Sequence, residues 1–169
     1  MRKAIILLGL AAIAAAPASP VTSLAGRYSK HFQNGMVDGS KFWSDDVVEI
    51  VPVDAAHAYF RAELAFYNGH SCSIAGVAKA VGNKLVYREK QASYDGGPIC
   101  RLTITTKGKS LLLDDGDGSC KSYCGARGSL SGFDLIPLSS KRPIGYMARL
   151  KGSSQYNQAI ADWKAGKTD

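Results

Sequence analysis

Tight-turn dipeptides recur between short β-like segments, and their spacing constrains the fold more than any other feature of the chain. Asn68-Gly69, Gly82-Asn83 and Lys107-Gly108 each separate two runs rich in aliphatic, aromatic and β-branched residues. Asn-Gly favours a two-residue type I′ turn, because both central residues take positive φ. Gly26-Arg27-Tyr28 begins a first strand, Val47–Val53 reads as a second and His57–Tyr67 as a third. Ser71–Val81 and Lys84–Arg88 follow as the fourth and fifth. Asp95-Gly96-Gly97-Pro98 closes a connection into a sixth strand over Ile99–Thr106. Ser110–Leu113 reads as the seventh strand and Ser129–Leu138 as the eighth. In the sixth, Cys100, Leu102 and Ile104 share one face, with Arg101, Thr103 and Thr105 on the other. These patterns predict a mainly β chain of about eight strands in an antiparallel meander. Closing such a meander into a small barrel removes its exposed edges. A two-sheet sandwich is the alternative. An eight-stranded barrel has room for packed side chains or for one small ligand.

The cysteines tie this meander together. Cys72 is in phase with Ile74, so Cys72 and Cys100 both face inward. Each hairpin reverses the chain, which brings Cys72, Cys100, Cys120 and Cys124 to one rim. Four cysteines allow three connectivities. The turns favour Cys72 with Cys100 and Cys120 with Cys124. That choice requires the fifth strand to end early, because strands two steps apart lie about 10 Å apart and a disulfide needs Cα atoms within about 7 Å. The polar run Arg88-Glu89-Lys90-Gln91-Ala92-Ser93 permits such an end. No Cys-x-x-Cys pair exists, so zinc is the weaker use of these thiols.

The start of the chain sets the compartment. Arg2 and Lys3 precede an apolar run from Ala4 to Ala16, and Ala-x-Ala patterns follow at Ala14/Ala16 and Ala16/Ala18. This is the pattern of a secretory signal peptide over residues 1–18, and the run is short of the roughly 20 residues a spanning helix needs. Leu24-Ala25-Gly26 is followed by Arg27 and not by the cysteine of a lipid anchor. A soluble, periplasmic or secreted chain with disulfides follows. Losing Arg2 and Lys3 lowers the formal charge from +7 to +5. Lys and Arg are scattered without an aromatic-interleaved basic stretch, which argues against nucleic acid as a partner.

Beyond a β-barrel domain over residues 24–138, the composition shifts at Pro143. Residues 143–166 read as a helical extension. Ser153 and Ser154 can cap a helix, Tyr156, Ile160 and Trp163 recur at helical spacing, and Gly166 is a stop. The amphipathic face is expected to pack back on the barrel. Tyr59 and Tyr67 share one strand face and Phe60 and Phe66 the other, so one pair should be core and the other exposed.

Catalytic signatures are scarce. There is no His-Glu-x-x-His, no Gly-x-Ser-x-Gly and no phosphate-binding glycine loop. Gly128-Ser129-Leu130-Ser131-Gly132 has Leu130 where a nucleophile would stand. A calcium loop starting at Asp115 would need Glu at its twelfth position, which is Ala126. Asp114–Gly118 therefore reads as a polar turn. His31, His57 and His70 have no sequence-adjacent catalytic partner. The reading is a non-enzymatic chain without cofactor or metal.

One segment resembles a known group. Cys72, Gly82-Asn83-Lys84-Leu85-Val86-Tyr87, Cys100-Arg101-Leu102-Thr103-Ile104 and Cys120-x-x-x-Cys124-Gly125 are spaced as in a cysteine-bearing β domain of small exported bacterial proteins. In that group the domain accompanies LprI-type lysozyme-inhibitor domains. The likeness runs from Cys72 to Gly132. What precedes Cys72 reads as strand, and the LprI-type helical domain itself is not found. The resemblance implies a binding module, inhibiting a cell-wall hydrolase by occlusion, with no cofactor and no catalytic residue. Ser119–Arg127 is the expected contact loop, with Lys121, Tyr123 and Arg127 as anchors, since Tyr and Arg are common at interfaces. A lysozyme cleft works through two carboxylates, which a basic loop suits. The alternatives are a calycin-like carrier of a small apolar ligand, or a structural envelope protein.

Overall fold

The computed structural model describes residues 18–92, 96–132 and 136–169. The signal-peptide assignment, but for Ala18, lies outside them, as does Asp95 of the expected Asp95–Pro98 connection. One sheet of eight antiparallel strands follows chain order: β1 (Gly26–Gly35), β2 (Lys41–Pro52), β3 (His57–Ala65), β4 (Ser71–Val81), β5 (Lys84–Arg88), β6 (Arg101–Lys107), β7 (Ser110–Asp114) and β8 (Ile136–Pro137). The single sheet curls into a nearly closed barrel, which sets the sandwich aside.

Period-2 alternation fills the interior. Tyr28, Ile50, Phe60, Ile74, Leu102 and Ile104 are buried along the barrel axis. One end carries the short turns at residues 54–56, 82–83 and 108–109. A four-residue helix, α1 (Pro20–Ser23), lies against β2 and β5 there. Ser19 caps α1, accepting from the Val21 amide at 3.3 Å, and Pro20 takes the first helical position, where its missing N–H costs nothing. Val21 and Leu24 are buried in the core, so α1 plugs this end.

Several elements differ from the sequence expectation. β2 starts at Lys41, six residues before Val47, because it pairs with β1 as far as Gly35; its inward positions there carry Ser44 and Asp46, which hide it from the apolar pattern. Both are buried and hydrogen-bonded: Asn34 Nδ2 donates to Ser44 Oγ at 3.2 Å, and the Ala65 amide donates to Asp46 at 2.8 Å. Asn68 and Gly69 have positive φ as expected. The Phe66 amide donates to the His70 carbonyl at 2.7 Å, however, so three residues span this turn. Lys107 pairs with Ser110, which moves the next turn to Gly108-Lys109. Of the expected eighth strand over Ser129–Leu138, residues 133–135 lie outside the described residues, and the described part is strand only at Ile136–Pro137. Ser129 Oγ accepts from the Ser131 amide at 3.2 Å and donates to its carbonyl at 2.9 Å. That local ring competes with a strand ladder.

The C-terminal segment packs back on the barrel. Two helices, α2 (Met147–Lys151) and α3 (Ser154–Lys164), cover the outer face of β2–β4. Ser153 caps α3, accepting from the Tyr156 amide at 3.2 Å. Tyr156 meets Tyr59 at 4.7 Å between ring centroids, and Trp163 meets His57 at 5.0 Å. Tyr59 faces outward yet is fully buried beneath these helices, while Phe60 is core and Tyr67 is exposed. The aromatic cluster therefore splits three ways, not two.

Candidate functional site

At the end of the barrel opposite α1, three of the connections form a rim. The β1–β2 and β3–β4 turns are joined: Tyr67 donates its hydroxyl proton to the Met36 carbonyl at 2.9 Å, and the Val37 amide donates to Asn68 Oδ1 at 3.3 Å. The third connection is the loop after β7. The Gly125 amide donates to the Ser71 carbonyl at 2.8 Å, which lays this loop along the end of β4.

Two disulfides fix that loop. They are Cys72–Cys124 and Cys100–Cys120, not the Cys72–Cys100 and Cys120–Cys124 pairs that the turns favour. All four cysteines do come to this end. The pairing differs because the post-β7 loop crosses the rim and inserts beside β4. Asp115, buried, accepts from the Cys120 amide at 3.2 Å and so carries Cys120 toward Cys100. A short 3₁₀ turn over Lys121–Tyr123 separates the two bridges. Gly128 passes so close that a Cβ there would stand 2.8 Å from Cys72 Sγ. In the chain-entropy account, loops of 20 and 52 residues closed in this way are worth about 3 and about 4 kcal/mol.

The three candidate anchors occupy different environments. Lys121 directs its ammonium to the carbonyls of Gly125, Ala126 and Gly128, at 3.3, 3.1 and 2.6 Å, and braces its own loop. Tyr123 is half-buried and donates its hydroxyl proton to Glu89. Arg127 is exposed on the rim. The rim also exposes Val37 (76%) and Tyr67 (47%), and the outer face of β2 exposes Trp43 (64%). Trp43 stacks on His31 at 4.6 Å, and His31 meets Asp45 at 2.9 Å. His57 is held by Asp54, and His70 lies beside Gly125. The Asp114–Gly118 turn is organised by Ser131, whose hydroxyl donates to Asp114 at 3.1 Å and also meets Asp115. Among the described residues no group of three or more His, Cys, Asp or Glu could hold a metal ion.

A second feature lies in the barrel wall. β4 and β5 pair only over Lys79–Val81 and Lys84–Val86. Above that point they part. The chain's last residues enter the seam on the free edge of β5: the Lys90 amide donates to the Lys167 carbonyl and the Asp169 amide to the Arg88 carbonyl, both at 2.9 Å. Between this tail and β4 lies a cleft of about 680 Å³, covered in part by α3. Its small lining residues are Ala75, Gly76 and, on α3, Ala159. A Cβ on Gly76 would overlap the Tyr87 ring, so only glycine lets that ring cross the wall here.

Glu89 is the chemical centre of the cleft. Its Oε1 accepts from Tyr87 at 3.1 Å and from Tyr123. Burial pushes both phenols up in pKa, with the Glu89 charge adding to it, and Tyr123 reaches about 12. Both therefore keep their protons at any physiological pH. The Lys167 ammonium donates to Asp162 at 2.7 Å and, with Gln158, holds that carboxyl below the usual carboxylate range. Sequence reasoning missed Glu89, although Tyr87 and Glu89 are in phase along an extended chain.

No protein-family model matches this chain, and no curated protein and no solved structure matches it either.

Proposed function

We propose that the chain is an exported, non-enzymatic binding module of the bacterial envelope, whose rim docks on a protein partner. The observation that carries this reading is the rim itself. Three connections are cross-linked by hydrogen bonds and two disulfides, and they expose Val37, Tyr67 and Arg127. Aromatic residues and Arg are enriched at protein interfaces, and a rim held rigid before binding loses little entropy on docking. Two disulfides fit an oxidising compartment. Among the described residues, no helix is long and apolar enough to cross a membrane.

The partner we propose is a cell-wall hydrolase of the lysozyme type, inhibited by occlusion. The resemblance of the cysteine-bearing segment supports this choice, as does the suitability of Arg127 for a cleft that works through carboxylates. The carrier alternative has less support, because large side chains fill the barrel axis.

Lysis of cell walls by muramidases of several structural types, with and without the oxidised protein, tests the proposal. Dose-dependent protection near a stoichiometric ratio is expected. Arg127→Ala should weaken it by about tenfold or more if Arg127 is a central anchor. Lysis at the same rate with every muramidase would contradict the inhibitor reading. Undiminished protection by Arg127→Ala would remove this residue from the interface.

A further inference from the structure

We propose that the seam cleft between β4 and the C-terminal tail binds a primary ammonium group on a short alkyl chain, received by Glu89 between Tyr87 and Tyr123. Donors and acceptors in the cleft do not balance. Glu89 Oε1 accepts hydrogen bonds from both phenols, while Glu89 Oε2 has no hydrogen-bond partner in the protein. Thr168, on the tail directly across from Glu89, is about nine-tenths buried, and its hydroxyl also has no partner. Both residues line the same cleft, and the two oxygens are covered by their neighbours, so a side-chain rotation must present them to an occupant. Orphaned buried oxygens of this kind are uncommon and call for an occupant.

The occupant must be a donor. The phenols already donate their hydrogen bonds to Glu89 and offer only lone pairs and ring faces. The two lysines beside the cleft already face carboxylates: Lys167 meets Asp162 at 2.7 Å, and Lys90 meets Asp169 at 3.7 Å. Besides the Gln91 side-chain amide, a carboxylate, a free hydroxyl and two electron-rich rings remain. An ammonium supplies three donors and no acceptor, and aromatic rings attract it further. The small lining residues Ala75, Gly76 and Ala159 leave room for its methylene stem, and the volume lies in the range of small-ligand sites. The same chemistry could arrive as a free amine or as the lysine side chain of a peptide.

The test is a titration of the disulfide-bonded protein, followed by amide NMR, with three probes: butylammonium, n-butanol and lysine blocked at both backbone ends. Butylammonium should give saturable shifts at Gly76, Ala159 and Gly166, and n-butanol should give none. Tighter binding of the blocked lysine than of butylammonium would assign the site to a side chain, and the reverse order to a free amine. Glu89→Gln should weaken binding by about tenfold or more, as expected for a hydrogen bond to a charged group. Thr168→Val preserves shape and should weaken it several-fold; this variant decides the matter if Glu89→Gln does not fold. No shift at the cleft, equal binding of n-butanol, or unchanged affinity in the folded variants would overturn the proposal.

Discussion

The barrel wall has two irregular seams, and they are handled in opposite ways. Where β1 meets the chain after β8, the gap is closed by backbone: the Arg27 amide donates to the Arg142 carbonyl at 2.9 Å, and the Arg142 amide donates back at 2.8 Å. The Ser29 amide adds a bond to Ser140 Oγ at 3.1 Å. Beside this seam, under the C-terminal segment, Glu49 is fully buried. Its register partners on either side are Arg27 and Arg61. Arg27 Nε stands 3.7 Å away, Arg61 pairs with Glu49 directly, and Tyr146 donates its hydroxyl proton to it. Every charge there has a partner. Where β4 parts from β5, the tail enters but does not reach β4, and Glu89 keeps an oxygen without a partner. One carboxylate is spent on closing the wall. The other is left available at a cleft. The contrast is between an acid fully buried and paired at one seam and an acid only partly buried, with an unpartnered oxygen, at the other.

The largest expected effect breaks the open seam's brace. Replacing Cys72 and Cys124 together by serine should cost about 4 kcal/mol in denaturant unfolding, and it should cost more than the same change at Cys100 and Cys120. Next, Arg61→Met at the closed seam leaves Glu49 buried with Tyr146 and a more distant Arg27. Removing one partner of a buried charge should cost about 3 kcal/mol in the same measurement. Tyr123→Phe, which takes one donor from Glu89, should cost about 1 to 2 kcal/mol. If Arg61→Met proved milder than Tyr123→Phe, the division of labour between the seams would be wrong.

The smallest effect concerns Tyr59, whose buried hydroxyl has no hydrogen-bond partner. Tyr59→Phe should be neutral or slightly stabilising, because it removes an unsatisfied group. It also bears on alkaline stability. Burial pushes Tyr59 and Tyr123 up to about 12, and Tyr87 upward as well. In the unfolded chain these phenols ionise near pH 10. The unfolded state then binds fewer protons than the folded state, so stability holds below about pH 10 and falls between about pH 10 and 12. Thermal unfolding followed across that range should show the fall, reduced in Tyr59→Phe.

Much of the barrel is legible in the sequence, because turns and alternation are local. Ser71–Val81 and Lys84–Arg88 carry their own boundaries in Gly82-Asn83. Half of β2 is hidden because Ser44 and Asp46 point inward and are hydrogen-bonded by Asn34 and by the Ala65 amide, partners that only the folded chain supplies. The inward phase of Cys72 and Cys100 is likewise local, and both are buried. The disulfide partners are not local, since they depend on the path of the post-β7 loop over the rim. Glu49 left a trace: a carboxylate inside the apolar run Val47–Val53 needs a buried partner. Glu89 lay in a polar stretch that reads as a strand end, and its role emerges only when Tyr123 arrives from 34 residues away.

Both the rim and the open seam rest on the nested disulfide pairing, and peptide mapping of the unreduced protein tests it most directly. Cleavage between the cysteines followed by mass spectrometry should recover one species linking Cys72 to Cys124 and another linking Cys100 to Cys120. A species linking Cys72 to Cys100 would contradict the account, because the post-β7 loop would then be free of β4 and neither the rim nor the cleft would be held as described.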